Sequence, residues 1–298
     1  MDTVVDIQVM PGQGRGANKE AVAAIEEAFH AFRLVEDAVS RFTPGSELLQ
    51  ACRAAVGAPV PVSPLIQAPL GLALMMAERT HGVFDPAIGG CMELQGFNKY
   101  YLTGAEMDSG CGEGATYRDI RFDAEQGTLE LLKPMVIDLG AVAKGFAVDL
   151  AVERLKGFSG CLVNAGGDLY AGGTGPDGEP WEIGIRHPLD KADIITSLRI
   201  TDAAVCTSGG YERPHNASQG NHHILNARIG KSPGHWLSSS IVAPYAMLAD
   251  VFATAALLLD KQESLELVKQ EGLAGIWISP ELNVVRTGGM EDEMGKNS

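Results

Sequence analysis

Apolar residues recur along this chain in two periods. Between Asn18 and Phe42, Ile25, Phe29, Phe32, Val35 and Val39 follow one another at steps of four, three, three and four, the period of an amphipathic helix. Thr43-Pro44-Gly45 ends it. Before it, residues 2–10 alternate as a strand does, and Pro11 to Gly16 supply a glycine-rich turn. Ser63-Pro64 reads as an N-cap with proline at the first helical position, opening a Leu/Met/Ala-rich helix towards His81 whose start Pro69 should delay or bend. Residues 82–114 are loop-rich, and 117–137 hold two or three short strands. A helix is predicted over 141–155, and strands over 161–164, 165–173, 181–185, 195–205 and 238–242. Pro244 to Leu259 form a nearly all-apolar helix, 262–272 a charged amphipathic one, and 275–279 and 283–286 the last strands.

Helices and strands interleave without a regular βαβ repeat, internal repeat or low-complexity linker. The pattern predicts an α+β single domain over residues 1–290, with mixed or antiparallel sheets and packed helices, then a polar tail at 291–298. A division into two lobes stays open.

The apolar helix carries the most informative chemistry. Asp250 and Thr254 stand four residues apart, on one face of it. Two hard oxygen donors on a buried helix suit Mg²⁺, which is commonly held by one or two carboxylates together with substrate phosphates. The competing reading is that Thr254 bonds its own helix backbone and Asp250 pairs with an arginine.

Composition narrows the rest. A chain of 298 residues, 45% hydrophobic, has ample core. Its formal charge of -15 argues against nucleic-acid and anionic-membrane surfaces. An anionic ligand would need a local cation to offset that field. The five cysteines are scattered without CxxC and read as free thiols. Neither a signal peptide nor an apolar run long enough to span a membrane is visible, so a cytoplasmic protein is expected.

Further segments could serve a ligand. Val136 to Ala151 is an apolar strand, a glycine turn and a helix start, with Asp138 at the strand end and Lys144 in the first turn. Helix N-termini attract anions, although a capping Asp and a solvated Lys would look the same. Asn164-Ala-Gly-Gly-Asp168 is either a close approach to a ligand or a hairpin turn. Neither GxGxxG nor a Walker A sequence is present. Four of the seven histidines, His215, His222, His223 and His235, fall within 215–235 without zinc-site spacing; one beside a Mg²⁺ site would serve as a general base. Cys206 has no electropositive setting to activate it as a nucleophile.

In this order, six segments resemble the FAD:protein FMN transferase (ApbE) family: Phe84-Asp-Pro-Ala-Ile-Gly-Gly, Asp138-Leu-Gly-Ala-Val-Ala-Lys-Gly, Leu162-Val-Asn-Ala-Gly-Gly-Asp, Thr207-Ser-Gly-Gly-Tyr-Glu-Arg, His222-His-Ile-Leu and Ala243-Pro-Tyr-Ala-Met-Leu-Ala-Asp-Val-Phe-Ala-Thr-Ala. The resemblance implies a Mg²⁺-dependent enzyme with two lobes around a FAD site. It would move FMN from FAD onto a Ser or Thr of an acceptor protein and release AMP. It implies Asp250, Thr254 and the Ala141 carbonyl as metal ligands, and His223 as catalytic. Met1, Phe42, Phe84, Asp85, Asp138, Lys144 and Leu225 would contact FAD. The chain departs from the family pattern where Asn226 replaces a carboxylate, Ile229 a hydroxyl and Gln95 a tryptophan. The family is often exported behind a lipoprotein leader. Hydrolysis of FAD to FMN and AMP, and FAD binding without catalysis, remain alternatives; a zinc domain built on the 215–235 histidines is a third.

Overall fold

The structure, a computed structural model, describes residues 3–11, 16–100, 102–111, 114–190, 192–211 and 222–288. Met1, His215 and the expected tail at 291–298 lie outside them.

Seven strands form the central sheet, in the order β1 (Val5–Val9), β5 (Gly160–Ala165), β6 (Asp168–Gly173), β9 (Ala203–Gly209), β10 (Ser238–Ala243), β11 (Ala274–Ile278) and β12 (Val284–Thr287). Every neighbouring pair is antiparallel, so the expectation of mixed or antiparallel sheets resolves to antiparallel. A three-stranded sheet joins β2 (Val60–Pro61), β4 (Thr128–Leu131) and β3 (Ile120–Asp123); β7 (Trp181–Arg186) and β8 (Ile194–Ile200) make a hairpin of their own.

Strand alternation gives the central sheet two apolar faces. On one, Ala204, Cys206, Ile241 and Trp277 join the main core with α1 (Ala17–Val39), α3 (Pro64–Arg79), α5 (Ala143–Glu153) and α6 (Ala246–Leu258). On the other, Leu169, Ala171, Val205 and Ile276 meet Trp181, Ile183, Ile185, Leu198 and Ile200 of the hairpin in a smaller core. The amphipathic α7 (Lys261–Gln270) is N-capped by Asp260, which accepts from Gln262 N–H and Glu263 N–H.

Four local expectations need correction. The segment 195–205 is two strands: the chain turns at Asp202 (φ 52°), β8 pairs with β7, and β9 enters the central sheet. Helix α3 begins at Pro64 and runs through Pro69, which is buried in the core. That burial offsets the backbone bond proline forfeits. The loop-rich stretch contains α4 (Gly89–Leu94), and a short helix, α2 (Glu47–Cys52), follows the Thr43-Pro44-Gly45 turn, capped by Ser46. Met135 to Ile137 are buried but join no sheet.

Helices α5 and α6 cross closely because residue 145 is glycine. A Cβ there would stand 2.3 Å from the Ala246 carbonyl oxygen. Asp149, one turn further along α5, accepts from the first two N–H groups of α6, Ala246 at 2.7 Å and Met247 at 2.9 Å. A carboxylate on a helix N-terminus is favourable, yet burial pushes this one up to about 6.

Candidate active site

The Gly145 crossing also shapes the polar end of a cavity of about 480 Å³. Helix α5 starts at Ala143, so the Gly145 N–H is one of the first-turn donors that no helix carbonyl meets. Here it donates to Asp250 Oδ2 at 3.0 Å. Ala141, two residues before α5, lines the cavity, and among the described residues no backbone N–H bonds to its carbonyl.

Asp250 is 1% exposed, and a carboxylate so buried needs partners. Besides Gly145 it has the Lys144 ammonium, 3.6 Å from Oδ1. Thr254, one turn along α6, shares a 2.9 Å hydrogen bond with the Ser208 hydroxyl at the end of β9. The competing reading of this helix therefore fails for Thr254 and holds in kind for Asp250, with a lysine as the cation. Thr254 bonds across to the sheet, and Asp250 pairs with a lysine.

The arginine goes elsewhere. Arg41, 5% exposed, donates from Nε to Asp138 Oδ2 at 2.5 Å and from Nη2 to the Phe97 carbonyl at 2.6 Å. Its guanidinium lies over the Phe42 ring, 4.1 Å from the centroid, and Phe42 stacks on Tyr100 with centroids 6.4 Å apart. Asp138 also accepts from Gly140 N–H at 2.7 Å. It is both a turn cap and one half of a buried ion pair.

The Asn164–Asp168 segment takes the hairpin reading and borders the cavity. It is a two-residue hairpin in which Gly166 (φ 67°) and Gly167 (φ 102°) take backbone conformations that side chains avoid. It also carries Asp168 to the cavity wall, where the carboxylate bonds to Lys144 and accepts from Thr207 N–H at 3.2 Å.

Ten of the eleven expected site residues line this one cavity: Phe42, Phe84, Asp85, Asp138, Ala141, Lys144, His223, Leu225, Asp250 and Thr254; Met1 is outside the described residues. Asp85 is there in a supporting capacity. Its two oxygens accept from Ala87 N–H at 2.8 Å and Tyr117 N–H at 3.0 Å, and burial pushes its pKa up. Arg41, Asp168 and Ser208 also line the cavity and were not among the expected site residues, although Asp168 and Ser208 fall in candidate segments. Arg41 was legible only as the neighbour of Phe42, since periodicity does not separate a buried arginine from a solvated one.

The paired histidines divide. His222 is bound into its loop: its N–H donates to Ser232 Oγ at 2.8 Å, Nδ1 accepts from Ile224 N–H at 3.2 Å, and burial lowers its proton affinity. His223 lines the cavity instead. Among the described residues no three His, Cys, Asp or Glu side chains are placed to hold a metal; His215, part of the zinc reading, lies outside them. Cys206 is fully buried, and burial pushes its thiol well above the ordinary range, consistent with an inert residue.

The side chains at the departures 226 and 95 are both bonded within the fold. Asn226 builds a tight turn: its side chain accepts from Arg228 N–H at 3.0 Å, its carbonyl from Gly230 N–H at 2.8 Å, and its own N–H donates to Lys231 O at 2.9 Å. An amide serves an Asx turn as well as a carboxylate does. Gln95, at the end of α4, donates to the Gly230 carbonyl at 2.6 Å and ties this turn to the cavity rim.

A larger cleft, about 790 Å³, lies against the β7–β8 hairpin. It gathers no buried carboxylates, so the smaller cavity is the better candidate site. Among the described residues no helix is long and apolar enough to cross a membrane.

Known proteins resemble this chain in sequence and in fold. A protein named FAD:protein FMN transferase from Treponema pallidum is 30% identical over 299 residues, covering 92% of this chain and 82% of its own. Another of that name from Salmonella typhimurium is 29% identical over 75% of this chain and 67% of its own. The crystal structure of the ApbE protein from Thermotoga maritima superposes with a TM-score of 0.79 at 24% identity, covering 96% of both chains. The flavin transferase ApbE from Vibrio cholerae superposes with a TM-score of 0.77 at 21% identity, covering 96% of this chain and 94% of the other. The profile of the ApbE family matches residues 1–277, and this chain belongs to that family.

Proposed function

We propose that this protein transfers FMN from FAD to a Ser or Thr hydroxyl of an acceptor protein, with Mg²⁺ and with release of AMP. Flavin transfer is the activity that the relatives' names share. The finer reading rests on one observation: a buried carboxylate, a hydroxyl and the backbone of Ala141, just ahead of α5, line a cavity that also holds aromatic side chains and a histidine.

The donor set fits the metal in kind. Asp250, Thr254 and the Ala141 carbonyl offer three hard oxygens, too few for an all-protein cage and suited to an ion that completes its shell with water and phosphate. Bound there, Mg²⁺ would neutralise charge on the pyrophosphate as AMP departs. The residues of the chain do the rest. Phe42, Phe84 and Leu225 give the apolar part of the dinucleotide a dry surface. Lys144 sets a positive charge against the phosphates in an otherwise acidic protein. His223 accepts the proton of the attacking hydroxyl, a contribution of roughly 10²–10⁴ in rate. Fixed groups of this sort are what phosphoryl transfer requires, because the reaction depends on positioning and charge.

Reading the chain as a FAD binder without catalysis drew on Asn226 and Gln95, and both side chains are held by bonds in the turn beside the cavity. Incubation with FAD and Mg²⁺, with and without an acceptor domain, tests the proposal. Flavin covalently attached to the acceptor supports transfer. AMP released at the same rate without acceptor points to hydrolysis, and FAD bound with no AMP under any divalent ion overturns both.

A further inference from the structure

Lys144 stands between two carboxylates and treats them unequally. It is hydrogen-bonded to Asp168. From Asp250 Oδ1 it is 3.6 Å away, beyond a hydrogen bond. Asp168 is built for this task. It is 2% exposed, it follows the Gly166-Gly167 turn directly, and its second oxygen is fixed by Thr207 N–H. The neighbouring residue, Ser208, fixes Thr254. Two consecutive residues of β9 thus hold both sides of the polar end.

The geometry points to Asp168 as a positioning residue that keeps the Lys144 ammonium off Asp250, leaving the outer oxygen of Asp250 to a divalent cation. The inference rests on the metal site proposed above and extends it to a residue with no assigned role. A lysine ammonium carries three donors on a flexible stem and seeks the nearest carboxylate. Without Asp168 that carboxylate is Asp250, and lysine and metal would compete for one oxygen. With Asp168 in place, Lys144 and Asp168 form an ion pair, whose field at the metal is a dipole's rather than a full positive charge.

Mn²⁺ binding to the protein without FAD, followed by the electron paramagnetic resonance of free Mn²⁺, tests this without any turnover. Asp168→Asn keeps an acceptor for Thr207 N–H and should weaken Mn²⁺ about tenfold, and Lys144→Met in that background should restore most of the loss. In the otherwise intact protein Lys144→Met alone should change affinity less than about threefold. Additive effects of the two substitutions would overturn the inference, because a simple field of charges adds and a competition does not. If Asp168→Asn fails to fold, Lys144→Met alone decides: a gain of about tenfold or more would mean that Lys144 already competes for Asp250. Wild-type protein that binds no Mn²⁺, or binds it equally well with Asp250→Asn, would overturn the metal site itself and this inference with it.

Discussion

The two faces of the central sheet are covered by a large helical core and a smaller hairpin core put to different ends. On the hairpin face, Leu169, Val205 and Ile276 meet Trp181, Ile183 and Leu198. On the helical face the core is equally dry until its rim, where Asp168, Ser208, Asp250 and Thr254 are buried and all of them bonded. The larger cleft belongs to the first face and the convergent polar groups to the second. Volume therefore does not identify the site. The informative feature is polar chemistry buried at a cost and satisfied by specific partners.

The sharpest way to break this contrast is to remove the metal carboxylate. Asp250→Ala should reduce Mg²⁺-dependent AMP release by about 10⁴-fold or more, since several kcal/mol of charge stabilisation would go with the ion. Circular dichroism should still report a folded protein, and retention of normal turnover would reject the assignment. His223→Ala should lower turnover by about 10²–10⁴ while FAD still binds, as read by flavin fluorescence titration. Unchanged turnover would remove His223 from the mechanism.

The hairpin face should respond in the opposite way. Leu198→Ala should cost about 2–5 kcal/mol in urea denaturation and leave kcat within about twofold. A large loss of kcat at full folding would mean that the two faces are coupled after all.

The smallest effect concerns the cap of α6. Asp149 titrates near 6 in the folded protein because burial disfavours its charge, above the ordinary carboxylate value of 3.8. The fold thus favours the protonated form. Between pH 4 and 6 the folded state holds more protons than the unfolded chain, so this group's contribution to stability falls as pH rises through that window. In EDTA, the stability of wild type relative to Asp149→Asn should drop by about 1–3 kcal/mol from pH 4 to pH 7. A difference that does not change with pH would show that Asp149 stays charged in the fold.

Much of this was legible in residue order. Helical periods located α1, α5, α6 and α7, and the four-residue step placed Asp250 and Thr254 on one face of an apolar helix. The errors arose where the period carries no information. Nothing in 195–205 marks where a strand leaves one sheet for another, because β8 and β9 differ in partner rather than in pattern. Nor does a proline reveal whether a buried contact will hold a helix through it, as happens at Pro69.

Periodicity, turn residues and donor types are local properties, and the sequence by itself determined these: the class of fold, the apolar helix and the hard oxygens it offers. The tertiary structure alone decided which lone pairs remain available. The Gly145 N–H, a first-turn donor of α5, is met by Asp250 across 105 positions, and Arg41 is taken by Asp138 across 97. Such bonds depend on which atoms the packed backbone brings within about 3 Å, a distance that position along the chain does not encode.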